Sequence, residues 1–263
     1  ITTQFVMTTI EELGLLKMDF LGLRTLTVIS DAVKLVEKNH GIKIDVDNID
    51  YNDKKVLDSI GTGRCDGVFQ LESAGMRVFM KQLKPDNFED IVAGISLYRP
   101  GPMDSIPTYI ENKTNPQNVT YLHEKLKPIM EVTYGCLVYQ EQVMQVVREL
   151  GGYTYGRSDL VRRAMGKKKM DVMEEERRYF VYGKEDENGN IEIAGCIRNG
   201  VPEDIANQIF DDMIDFAKYA FNKSHAAAYG VLSYQTAYLK AYYPVEFMAA
   251  LITSVMGNTD KVV

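Results

Sequence analysis

VMQVVRELGGYTYGRSDLVRRAMGKKK, residues 143–169, carries two signals in sequence. Val143, Val146, Val147 and Leu150 recur at helical spacing, and Gly151-Gly152 closes the stripe. From Gly156 onward six basic side chains (Arg157, Arg162, Arg163, Lys167, Lys168 and Lys169) face one acid, Asp159. Arg163 and Lys167 lie four apart on one helical face with Arg162 beside them, after a glycine-rich entry. That gathers donors where a triphosphate or a nucleic-acid backbone could sit, and arginine suits phosphate oxygens geometrically. The plainer reading is a solvated basic face with an Asp159–Arg163 pair at i, i+4.

The helical signal extends in both directions. Leu26, Ile29, Val33 and Val36 keep a stripe that stops at Asn39 and Gly41, and Met76, Phe79, Met80 and Leu83 form another. Asp86 with Glu89 has the pattern of a capping box before Phe88, Ile91, Val92 and Ile95. Pro202 suits the first residue of a helix carrying Ile205, Ile209, Met213 and Ile214. A last helix is expected from about Ala226 to Tyr243, stopped by Pro244. Two places read as β: the apolar run Leu13 to Leu23, and a hairpin of Phe180 to Tyr182 with Ile191 to Cys196 across the turn Asp186 to Asn190. Arg99 to Pro102 and Lys113 to Gln117 are loops by composition. The fold class is mainly α with a minor β component.

Composition narrows the function classes. The 263 residues have 45% hydrophobic and 25% charged side chains, values that exclude a disordered or fibrous chain. One large domain or two smaller ones fit that length. No apolar run reaches the roughly 18–20 residues of a membrane helix, and no secretory signal opens the chain. Cys65, Cys136 and Cys196 lie far apart, which fits reduced thiols in a cytosolic protein and excludes a Cys-x-x-Cys zinc site. The net charge of −7 argues against a protein coated in nucleic acid, while a local basic patch still suits phosphate. A start at Ile1 raises the expectation of a piece of something longer.

Two further segments stand out. Asp19 sits inside the apolar run, where burial is costly unless the carboxylate is paired or bound to a cation. In a strand, Lys17 and Asp19 share a face, so a neighbour pair at a sheet edge competes with a metal carboxylate. One carboxylate is not a metal site. In FAKYAFNKSHAAAY, residues 216–229, the cluster Asn222, Lys223, Ser224 and His225 reads as a turn before the last helix. His225 as a catalytic base has no legible triad partner nearby. His40 and His123 stand alone, without metal-ligand spacing.

KMDFLGLRTLT (17–27), GVFQLES (67–73), LYRPGPM (97–103), RRAMGKKK (162–169) and FNKSHAAAYG with SYQTAYLKAYYPVEFMAA (221–230, 233–250) together resemble the alpha subunit of bacterial DNA polymerase III, the C-family replicative polymerases. The resemblance is colinear from about residue 10 to the C-terminus. It implies that residues 1–25 are the C-terminal edge of the palm and 26–263 an incomplete fingers domain. Asp19 matches the third of the family's three catalytic aspartates, which hold two Mg²⁺ ions in the full-length parent; no Pro-Asp-x-Asp motif for the other two occurs here.

By the same likeness Arg162 and Arg163 would meet the triphosphate of the incoming dNTP. Lys167, Lys168 and Lys17 would add phosphate contacts, and Asn222 and His225 would line the nucleotide side. The implied partners are primer–template DNA and dNTP. The sliding clamp and other replisome subunits would bind through regions absent from this sequence. A cytoplasmic DNA-directed DNA polymerase is implied for the parent, with the fragment alone inactive. The basic helix is expected to stay exposed. A stand-alone helical nucleotide- or nucleic-acid-binding module without catalysis, or a purely structural helical domain, remain the other readings of the residues.

Overall fold

The computed structural model describes residues 2–16, 18, 22–166, 170–217 and 219–257. Among them the elements run α1 (Met7–Glu12), α2 (Arg24–His40), α3 (Lys54–Gly61), α4 (Ala74–Leu83), α5 (Phe88–Leu97), α6 (Ile106–Thr114), α7 (Lys127–Met130), α8 (Gln140–Gly151), α9 (Tyr155–Gly166) and α10 (Met170–Tyr182). A hairpin of β1 (Lys184–Glu185) and β2 (Ile191–Ile193) follows, then α11 (Glu203–Ala217), α12 (Lys223–Tyr242) and α13 (Pro244–Val255). The chain is mainly α with a minor β part.

Apolar stripes set three cores. Val143, Val146, Val147 and Leu150 of α8 pack with Val161 and Met165 of α9, Phe180 of α10, and Ile209, Phe210 and Met213 of α11. A second core joins α3, α4 and α5 to Tyr109, Tyr139 and the α12 residues Ala226, Tyr234 and Ala237. The third packs Val28, Ile29 and Ala32 of α2 against Leu239 of α12 and Phe247 and Ala250 of α13. Helix α12 therefore serves two cores. Its Gly230 makes close approach to α5 possible, since a Cβ there would stand 3.1 Å from Val92 Cγ2 and 3.3 Å from Phe88 Cζ.

Several boundaries differ from the sequence reading, each for a local reason. Asn87, not Asp86, caps α5 and accepts from the Asp90 amide at 3.0 Å; the Asp86 backbone amide instead donates to the buried Asp90 carboxylate. Phe180 to Tyr182 end α10 and do not form a strand. Met173, Phe180 and Val181 are buried at helical spacing, and the helix yields at Gly183, whose φ is 88°. The hairpin pairs Lys184 with Ile193 one step later, across the expected turn, where Asp186 Oδ1 accepts from the Asn188 and Asn190 amides. Pro244 opens α13, where its missing N–H is no loss.

The expected strand Leu13 to Leu23 is not found: none of its described residues is in a strand, and no strand lies beside it among the described residues to satisfy its backbone. Leu13, Leu15, Leu16 and Met18 are exposed there. Among the described residues no helix is long and apolar enough to cross a membrane.

One ionisable clasp joins α2 to α13. Glu246 accepts from Asn39 Nδ2 at 3.1 Å and meets His40 Nε2 at 2.9 Å; the first and then the second of these hold its carboxyl below the usual carboxylate range. A carboxyl lowered in the folded state contributes stability above its unfolded pKa of roughly 4.3, and loses it as pH falls through the folded value. Glu246→Gln is expected to flatten the acid limb of stability against pH below about pH 4.3. Urea unfolding at pH 3 to 7 checks this; an unchanged limb would show the clasp to be inert.

Candidate functional site

The basic segment is helical, as its spacing implies, and its cations are divided among different tasks. Arg157 turns inward: its guanidinium meets Glu176 at 2.8 Å and Glu192 at 3.1 Å, and Tyr153 donates to the same Glu176. It ties α9 to α10 and β2 and is not available to a ligand. Asp159 takes both following arginines, Arg162 at 2.6 Å and Arg163 at 2.6 Å. The Arg162 hydrogen bond, with the charges of both arginines, holds the Asp159 carboxyl below the usual range. Arg163 is exposed, and Arg162 is half-buried, so the expectation of an exposed basic face holds for one arginine and not for the other. Lys167 and Lys168 lie outside the described residues, as do Lys17 and Asp19.

The start of α8 links this helix to α12. Gln140 Oε1 accepts from Arg162 Nη1 at 3.1 Å, its Nε2 donates to the Ala220 carbonyl at 3.1 Å, and its backbone amide donates to Phe221 at 2.9 Å. Next to it Glu141 accepts from Asn222 Nδ2 at 2.8 Å and from the Lys223 amide at 2.9 Å. Asn222 is thereby fixed as the cap of α12, its Oδ1 accepting from the His225 amide at 2.8 Å. Asn222 is an organising residue held by Glu141. Lys223 reaches Glu89 at 3.0 Å.

His225 projects to an aromatic cleft of about 370 Å³. Its exposed ring lies 5.4 Å from Phe221 and 4.2 Å from Tyr229, and Tyr229 lies 5.2 Å from Phe69. Arg99 borders the same cleft, its guanidinium 3.9 Å from the Phe221 ring centre and its Nη2 donating to the Tyr219 carbonyl at 3.0 Å. Burial pushes that guanidinium below its ordinary value. Gln70, in GVFQLES, holds a left-handed φ of 62° at the rim.

Hydrogen bonds thus link Arg163 through Asp159 to Arg162, and Arg162 through Gln140 to the residues just before Asn222 and His225. Gln140 and Glu141 complete this network and carried no periodic or motif signal of their own, whereas Phe221 opens FNKSHAAAYG and Arg99 lies in LYRPGPM.

Among the described residues no group of three histidine, cysteine or acidic side chains stands close enough to hold a metal ion. Asp19, the carboxylate that the resemblance assigns to Mg²⁺, is outside them, so no geometry for an ion follows from this fold.

The architecture defines a mainly helical domain that presents Arg163 on α9 and the aromatic cleft of Phe221, His225 and Tyr229 at the start of α12, with Gln140 and Glu141 of α8 between them. Residues 25–188 match the family described as the bacterial DNA polymerase III alpha subunit finger domain, and the chain belongs to that family. It is 48% identical over 260 residues to DNA polymerase III subunit alpha of Bacillus subtilis (strain 168), covering 99% of this chain and 22% of that protein. It is 49% identical over 265 residues to the protein of the same name from Thermus aquaticus, covering 99% of this chain and 21% of that protein. The corresponding protein of Staphylococcus aureus (strain COL) is 46% identical over 259 residues. The chain spans about a fifth of the length of these relatives.

Proposed function

We propose that this chain is the fingers region of a template-directed DNA polymerase, with residues 1–25 at the palm edge and 26–263 forming the fingers. The observation that carries the reading is the match of residues 25–188 to the finger-domain family, together with near-half identity to DNA polymerase III alpha subunits across nearly the whole chain. The proposed substrates are dNTP and primer–template DNA in a longer, cytoplasmic parent. The sliding clamp and other replisome subunits would bind segments of that parent outside this chain. Mg²⁺ would supply charge neutralisation for phosphoryl transfer in the parent.

This chain's own contribution is positioning. Arg163 would take phosphate oxygens of the incoming nucleotide, with Lys167 and Lys168 adding positive field. Arg162 would stiffen the surface from below, and Lys17 would touch phosphate beside Asp19. Asn222 would orient the first turn of α12, and His225 with Phe221 and Tyr229 would offer ring faces to the nucleotide.

The test is steady-state kinetics of the longer parent with varied nucleotide. Arg163→Ala is expected to cost about tenfold to a hundredfold in kcat/KM for dNTP, the worth of one charge-assisted phosphate contact of about 1.5–3 kcal/mol. Unchanged nucleotide efficiency with weakened primer–template affinity would move Arg163 to backbone binding.

A further inference from the structure

The Asp159 carboxylate has both oxygens occupied by arginine. Oδ1 accepts from Arg162 Nε at 2.9 Å and from its Nη2 at 2.6 Å, and Oδ2 pairs with Arg163 Nη2 at 2.6 Å. Two guanidinium groups converging on one planar anion is the arrangement that also suits a phosphate. Beyond that shared contact the two arginines differ. Arg162, with 26% of its side chain exposed, sends its remaining terminal nitrogen to Gln140, and through Gln140 it is tied to Ala220 ahead of α12. Arg163 is 62% exposed and makes no further hydrogen bond among the described residues. Opening the Arg163 pair breaks one solvent-screened contact, which is cheap. Opening the Arg162 set breaks two bonds to Oδ1 and a part-buried bond to the Gln140 amide, the polar link that α9 adds to the apolar core it shares with α8.

We propose that Asp159 is a resident counter-anion for the phosphate-binding arginine: it holds Arg163 on the surface of α9 and yields it to a polyphosphate, while Arg162 stays with Asp159 and Gln140 as the positioning arginine. The proposal rests on the phosphate reading of α9 and deepens it. Asp159 itself touches no ligand; it sets how strongly Arg163 is already engaged. The two arginines of one motif therefore have different tasks, and the carboxylate competes modestly with an incoming polyphosphate for Arg163.

The experiment is titration calorimetry of the 263-residue chain at low salt, with inorganic tripolyphosphate as probe. Asp159→Asn is expected to tighten binding by about threefold to fivefold, the effect of deleting one competing exposed ion pair. Asp159→Ala removes the same charge with a better helix former and should act alike. Asp159→Glu keeps the charge and is expected to stay within about twofold of the parent, a result that a merely structural role for the side chain does not give. Arg163→Ala should weaken binding about tenfold or more. If both neutral variants bind as the parent does or more weakly, while Arg163→Ala still loses the probe, the counter-anion proposal is overturned and the phosphate reading stands. If the parent chain fails to bind, or Arg163→Ala binds as the parent does, the phosphate reading falls and takes this proposal with it.

Discussion

Asp90→Ala is expected to remove about 3–5 kcal/mol of stability, the cost of breaking a buried ion pair and of taking the acceptor from two tyrosine hydroxyls. Asp90 is 1% exposed, and its Oδ2 lies 2.7 Å from Lys113 Nζ on α6. The same carboxylate accepts from the Asp86 amide at 3.1 Å, Asn87 Nδ2 at 3.3 Å, Tyr134 Oη at 3.3 Å and Tyr109 Oη at 3.4 Å. Truncation leaves two tyrosine hydroxyls without their acceptor and Lys113 with only Asp86 and the Lys84 carbonyl. Burial first, and the Asp90 charge second, push Tyr109 above its ordinary value, so it cannot relieve the loss by ionising.

At about 2–4 °C for each kcal/mol in a chain of this size, thermal unfolding should fall by roughly 6–20 °C. Urea unfolding measures the free energy. Lys113→Met alone should be similarly harmful, because it strands the carboxylate. The double variant Asp90→Leu with Lys113→Met should recover most of the loss, since apolar replacement of a buried pair is often neutral. A single-variant loss under about 1 kcal/mol would show that the network does not hold α5 to α6. The consequence extends beyond stability, because α5 is the platform on which Gly230 seats α12.

The elements that sequence could supply are those with long, one-sided apolar stripes. Helices α4, α8 and α11 were legible because burial follows spacing along a single helix; α2 forms where expected, but its buried face is Val28, Ile29, Ala32 and Val36, with Leu26 exposed, and Gly41 and Gly152 close α2 and α8 in left-handed conformation. Phe180 was misread because a short β-branched and aromatic run suits a helix end as well as a strand. Only its packing 5.5 Å from Phe210 decides between them. Pro244 was read as a stop, and α12 does end at Tyr242; the same proline also starts α13.

At the candidate site the motif RRAMGKKK located the cations, yet not their partners. Gln140 lies 22 positions before Arg162, and no local pattern connects the two. Arg157 looked identical to its neighbours in composition; Glu176 and Glu192, brought up from α10 and β2, take it out of the basic face. Asp159 was visible as an i, i+4 partner of Arg163, and its second arginine at i, i+3 was not anticipated. Charge along a sequence says where a field originates. Which side chains remain able to use it depends on acids delivered by tertiary structure.

On the proposed reading, Asp19→Ala in the longer parent is expected to take primer extension below detection while primer–template binding stays largely intact. KMDFLGL places one carboxylate in an apolar stretch, which is unfavourable unless a cation or partner compensates it. Nucleotidyl transfer through two metal ions needs carboxylates that fix both, so losing one ligand removes the charge stabilisation of the attacking and leaving oxygens together. Affinity for the DNA backbone arises elsewhere, from lysine and arginine contacts that neutralise phosphate, and does not depend on that carboxylate.

The same argument predicts that the 263-residue chain alone extends no primer, since Asp19 by itself cannot hold two hard cations that each require several oxygen ligands. Primer extension at saturating nucleotide and Mg²⁺, with filter binding of the primer–template alongside, reads both outcomes. Extension by the isolated chain that disappears in its Asp19→Ala variant would show a complete site within these residues and overturn the assignment to a larger palm. Undiminished extension by the Asp19→Ala parent would remove Asp19 from the chemistry. Loss of DNA binding together with extension would instead give Asp19 a role in holding the palm edge in shape.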